Sequence, residues 1–242
     1  VIGLALLGFG ASGTWLGLFS TRLLPRFLPW CRGLTLALAL NVTLCYRLAE
    51  KLPLNMQYIL FSGEQLFYLF CYQALIFLPF LLAGVLIGLA LIRYSSSIHL
   101  VYGANLLGSG GGPILCIGLM MWLPPARIIQ AAGILIWATV FLWRPGPRDR
   151  VLGRKVGIPL LVGLLLALDL TILSIPMRID PHKMLAELQR WERQGDAQHL
   201  LSQYGPRARL DVFASSRLHY TLFAGLTAKP PPPVQALLLA DG

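Results

Sequence analysis

Six apolar stretches, at about 1 to 19, 34 to 49, 66 to 92, 101 to 123, 126 to 143 and 156 to 175, decide what this chain can become. Each approaches or exceeds the roughly 20 residues that a helix needs to cross a bilayer. Within hydrocarbon a backbone must satisfy its own hydrogen bonds, and an α-helix does so inside the segment. Only 12% of the residues are charged and 56% are hydrophobic, whereas a soluble domain carries about 25% charged residues. The expected architecture is therefore an α-helical polytopic membrane domain of about six transmembrane helices over residues 1–175. The second stretch is short and carries Asn41 and Thr43, and the third holds Pro79, a kink site. Trp122, Trp137 and Trp143 fall near proposed helix ends, as interfacial aromatics do.

The formal charge is +10, and before residue 176 the only acids are Glu50, Glu64, Asp149 and Asp169. The first, third and fifth loops hold Arg22, Arg26, Arg32, Arg93, Arg144, Arg148, Arg150, Arg154 and Lys155. The second and fourth hold Arg47, Lys51 and Arg127. The positive-inside bias then places the odd loops in the cytoplasm and sends residue 176 onward outside. Basic loops beside a bilayer account for the charge, so a nucleic-acid partner is not expected and the lipid bilayer is. Cys31, Cys45, Cys71 and Cys116 form no C-x-x-C pair, which leaves neither a metal site nor a disulfide framework. His99, His182, His199 and His219 are scattered in no catalytic order.

Gly8-Phe9-Gly10-Ala11-Ser12-Gly13 matches the dinucleotide pattern G-x-G-x-x-G in letters only. That loop needs a strand before it and an acid about 20 residues later, and the first acid here is Glu50. On an apolar helix, small residues at helical spacing serve close packing instead. Gly10, Gly13 and Gly17 on the first helix, with Gly84 and Gly88 on the third, are the expected packing positions.

Beyond Pro176 the pattern changes. Met184, Leu185, Leu188 and Trp191 recur at helical spacing among charges, with Gly195 as a stop, so 176–204 is expected as a juxtamembrane amphipathic helical segment. RARLDVFASS and RLHYTLFAG alternate as half-buried strands do, and Pro230 to Pro233 lead to a last apolar strand, VQALLLADG. Residues 205–242 read as the start of a β-hairpin domain, too small to hold a core alone. An opening Val without a basic leader and an end inside an apolar run give the expectation that the natural chain extends in both directions.

Two polar features fall inside the helices. Asp169, in LLLALDLTIL, is costly in a bilayer unless it meets a partner or a watery cavity, and no charged companion is evident inside another helix. Proton coupling or binding of a cationic amine would use it; a hydrogen-bonded helix contact would also explain it. Asn105, with Gly110, Gly111 and Gly112 before Pro113, offers either a broken-helix cradle or a close-packed kink. Together they support an alternative reading, a small-solute transporter or channel-like protein.

Several stretches in order resemble one family, the polytopic bacterial membrane proteins fused to a spermidine-synthase-like domain. They are LALLGFGASGTWL, FLPFLLAGVLIGLAL and IHLVYGANLLGSGGGPIL, followed by SQYGPRARLDVFASSRLHYTLFAGLT and VQALLLADG with its Asp241-Gly242 turn. The resemblance implies a multi-pass protein of the bacterial inner membrane. It also implies a downstream transferase core, in the rest of the chain, that binds S-adenosylmethionine or its decarboxylated form. It carries no catalytic residue onto this segment, adds Asp241 to the binding candidates, and shows Asn105 where the family has Asp. S-adenosylmethionine is cytosolic, whereas the loop charges send the tail outside; the two expectations pull apart.

Overall fold

The computed structural model describes residues 2–55, 58–59, 61–143, 157–172, 179, 183–205, 208–218 and 235–240. Arg144 through Lys155, His182, His219, the proline run and Asp241 lie outside them. The chain divides into two compact units, residues 1–113 with 125–176, and 114–124 with 177–242.

The first unit is helical. α1 (Ile2–Leu23) reaches α2 (Phe27–Lys51) through a 3-10 turn at Leu24–Arg26 containing Pro25. The helices α3 (Gly63–Arg93), α4 (Ile98–Met120), α5 (Pro125–Ala138) and α6 (Gly157–Ile172) follow. Four helical stretches among the described residues are long and apolar enough to cross a membrane: Ile2–Lys51, Gly63–Arg93, Ser95–Met120 and Pro125–Leu142. The first two expected spans thus run on as one helical stretch, and the sixth is a shorter helix of 16 residues.

α1 lies along α3 in parallel. Gly8 sits where a Cβ would come within 2.7 Å of the Phe80 Cβ, Gly84 abuts Ser12, and Gly88 abuts the Leu16 side chain. Gly8, Ser12 and Leu16 are one helical stripe, four residues apart, and all are buried. The contact therefore uses Gly84 and Gly88 from α3, but not Gly10, Gly13 and Gly17, whose built Cβ atoms meet nothing within 4 Å. Heptad-spaced glycines mark one face of an apolar helix as readily as another; here the closer approach is made by Gly8 and Ser12.

Beyond the Pro25 turn the chain reverses. Phe27 meets Tyr94 just past the end of α3, with ring centroids 5.9 Å apart, and Leu34 packs on the cluster of Leu16, Leu23, Val85 and Leu89. α2 therefore runs back along α3. It carries α5 on its other side, also antiparallel: Trp143 Nε1 donates to Thr35 Oγ1, while Gly133 lies against Thr43 and the Ala39 carbonyl. α6 in turn runs antiparallel to α5, with Gly163 under the Trp137 indole, whose Nε1 donates to the Pro159 carbonyl at 2.7 Å. So α1, α3 and α5 point one way, and α2 and α6 the other. α5 starts at the end opposite to where α3 stops, and the intervening α4 is about 34 Å long, its residues from Ile114 on belonging to the second unit. No residue of α4 is buried.

In the second unit α7 (Met184–Gln194) ends at Gly195, whose φ of 83° is the left-handed cap geometry that glycine adopts without strain. An antiparallel sheet follows, in the order β1 (Ala197–Tyr204), β2 (Arg209–Ser215), β3 (Gln235–Ala240). β1 falls where a helical segment was expected. A register shift between His199 and Leu201 breaks its alternation, so AQHLLSQY does not read as a strand on its own. Leu185 and Leu188 of α7 pack with Phe213 and Leu218.

Replacing Gly84 with Ile should drive α1 off α3 and cost about 1–3 kcal/mol, because Ser12 and Phe9 already fill that space. Gly10→Ala, on the open face, should be neutral or stabilising. Thermal unfolding of both variants in the same detergent checks the contrast.

Candidate functional site

The polar residues of the helical unit gather where α2, α5 and α6 meet. Asp169, three residues before the end of α6, is buried. From α2, Arg47 directs both Nε and Nη2 to its Oδ1. Gln130 of α5, 2% exposed, donates from Nε2 to Asp169 Oδ2 at 2.9 Å and to the Asp169 carbonyl at 3.0 Å. Arg127, one turn earlier on α5, donates to the Leu170 carbonyl, a cation at the C-terminal turn where the helix dipole favours it.

Arg47 is the companion that Asp169 lacks when the sequence is read alone. It was read as part of the second loop; because α2 continues to Lys51, the guanidinium hangs from helix instead. A buried charge costs several kcal/mol unless it is paired and its remaining hydrogen-bonding sites are filled. Both carboxylate oxygens are engaged here. The pair is neutral overall, so the acid offers no free negative charge to a passing cation or amine.

The same seam has a second polar end. Arg32 Nε and Nη2 both donate to the Trp143 carbonyl, at 3.1 and 2.6 Å, and Thr35 Oγ1 donates to the Cys31 carbonyl at 2.7 Å. Between the ends the helices approach closely at Gly133, where a Cβ would stand 2.8 Å from Thr43 Oγ1 and 3.2 Å from the Ala39 carbonyl oxygen.

The other candidates are elsewhere. Asn105 and Gly110 to Gly112 belong to an uninterrupted helix, so no backbone nest forms around them, and a Cβ on any of these glycines meets nothing within 4 Å. Asn105 is not brought near Asp169 by any contact among the described residues. Asp241 lies outside the described residues. No group of three or more His, Cys, Asp or Glu side chains among the described residues is placed to hold a metal.

One buried acid went unsuspected. Asp211 of β2, fully buried, takes the Arg209 Nη2 at 2.9 Å on Oδ1, with the Arg209 Nε 2.8 Å from Oδ2 and the His199 Nε2 3.2 Å from Oδ1. His199 stacks on Phe213 with centroids 4.4 Å apart. Alternation along RLDVFAS puts Asp211 on the same face as Phe213 and Ser215, which was a legible sign of an inward acid.

The helices and their ion-paired seam define a membrane protein with apolar helices of spanning length. Comparisons with protein-family models, curated proteins and solved structures find no match to this chain.

Removing one partner strands the other charge, so Arg47→Met should lower stability by about 3 kcal/mol. Arg47→Met combined with Asp169→Leu should recover most of that loss. Thermal unfolding in detergent of the two singles and the double gives the coupling directly.

Proposed function

We propose that residues 1–175 are the membrane-embedded anchoring region of a spermidine-synthase-like transferase, crossing a bacterial inner membrane six times. The α7–sheet unit then begins its soluble part. The observation that carries this reading is the closed state of the Asp169 site, which Arg47 and Gln130 occupy from within the protein. A bundle whose buried carboxylate is already neutralised has the chemistry of a scaffold. Of the three antiparallel strands after it, β2 and β3 fall within 205–242, where the β-hairpin domain is expected, and β1 precedes it. The downstream core would bind S-adenosylmethionine or its decarboxylated form. The helix directions support six crossings, with the reversal at Pro25 dividing Ile2–Lys51 into two. The alternative, a small-solute transporter using Asp169 and Asn105, draws less support: one residue is tied up in an ion pair and the other lies on a helix without a buried residue.

The test is calorimetric titration of the protein expressed from its complete reading frame, in lipid nanodiscs, with each of the two ligands. One of them should bind, and Asp169→Asn should leave that affinity unchanged. Absence of binding by both removes the transferase; binding lost in a folded Asp169→Asn protein removes the anchor.

Sidedness is a separate test. Arg22, Arg26 and Arg93 share the end where α1 and α3 finish, and α6 runs toward the other end. In a cysteine-free background, Ser96→Cys should react with an impermeant maleimide from the cytoplasmic face and Gln203→Cys from the opposite face. Labelling of both from one face would remove a crossing. It would also bring the sheet to the side where a cytosolic cofactor is found.

A further inference from the structure

We infer that the end of the helical unit bearing Arg22, Arg26 and Arg93 is a docking surface for anionic phospholipid headgroups. The inference rests on the helices lying in a bilayer and is independent of the transferase reading. The parallel register of α1 on α3 brings the last turns of both helices to one end, and the Phe27–Tyr94 contact ties the start of α2 to the same place. Arg22, Arg26 and Arg93 are all exposed there. The Arg93 guanidinium carbon stands 6.0 Å from the Tyr94 ring centroid. Neither Arg22 nor Arg26 has a partner among the described residues.

Among the described residues, acids are segregated from this end. The described carboxylates of the unit are Glu50 in the last turn of α2, Glu64 in the first turn of α3 and Asp169 near the end of α6, all at the opposite end. The N-terminus of α2 points toward the three arginines and adds positive partial charge. Arg32 is different, since its guanidinium is spent on the Trp143 carbonyl.

Charge complementarity calls for an anion, and the surroundings select its form. Leu18, one helical turn from Arg22 on the same face, is 71% exposed. An arginine cluster above bare leucine suits a molecule that has a phosphodiester head and an acyl chain, as basic juxtamembrane clusters do with anionic lipid. A soluble polyanion would leave the apolar part uncovered.

Native mass spectrometry of the detergent-purified chain, offered phosphatidylglycerol or phosphatidylcholine, tests this. Phosphatidylglycerol should be retained with at least about tenfold preference. The triple variant Arg22→Gln, Arg26→Gln, Arg93→Gln should lose that preference, while Lys51→Gln at the opposite end should keep it. Equal retention of the two lipids, or an undiminished preference in the triple variant, overturns the proposal. So does removal of bound phosphatidylglycerol by glycerol 3-phosphate, which would mark a soluble-anion site. Should the triple variant fail to keep its helical circular dichroism, the three single variants carry the test: each should lower the preference in part, and three unchanged singles overturn it.

Discussion

Helices in this protein meet where a side chain is missing. In lipid no hydrophobic force pushes two apolar helices together, so dispersion at short range and a few polar contacts must do it, and both grow as backbones approach. Gly8 under Phe80, Gly84 against Ser12, Gly133 against Thr43 and Gly163 under Trp137 are points of close approach on three of the helix interfaces, α1 with α3, α2 with α5 and α5 with α6. These contacts set the register of each pair, and the registers set the helix directions. The gathering of Arg22, Arg26 and Arg93 at one end, and of the described carboxylates at the other, follows from them.

The ion pair of Arg47 with Asp169 is a consequence of the same packing. Gly133 draws α5 onto α2, Gly163 draws α6 onto α5, and the three helices then present Arg47, Gln130 and Asp169 to a common point. A one-turn slip of α6 would carry the carboxylate about 5.4 Å away, leaving two charges without partners. The polar seam therefore works against alternative registers that the apolar surfaces, being much alike, would accept.

Much of this was legible in the sequence, unevenly and for physical reasons. Hydropathy marks where α1, α3, α4 and α5 run, because burial of a backbone in lipid leaves a long compositional trace. It does not mark the end of α2, since charged Arg47 and Glu50 read as loop although both lie on the last turns of the helix, where Arg47 turns inward to Asp169. Once Arg47 is read as loop, Asp169 loses its partner. Gly84 and Gly88 were placed at a contact, yet the matching stripe on α1 was not, because an all-apolar helix gives no polar face to exclude. Asn105 and its glycines look like a break but remain helical. β1 was missed because a local bulge sets two leucines side by side, whereas β2 and β3 keep a readable alternation.

The pairing of Arg47 with Asp169 spans 122 positions of the chain, and this separation matters for how the protein is made. α6 is synthesised after the helices that receive it, and it carries an acid that would cost about 2.5–3.5 kcal/mol to hold unpaired at the centre of a bilayer. Arg47 and Gln130 precede it in the chain, so both groups that engage the carboxylate have been made before α6 emerges, and the order of synthesis suits the order of packing.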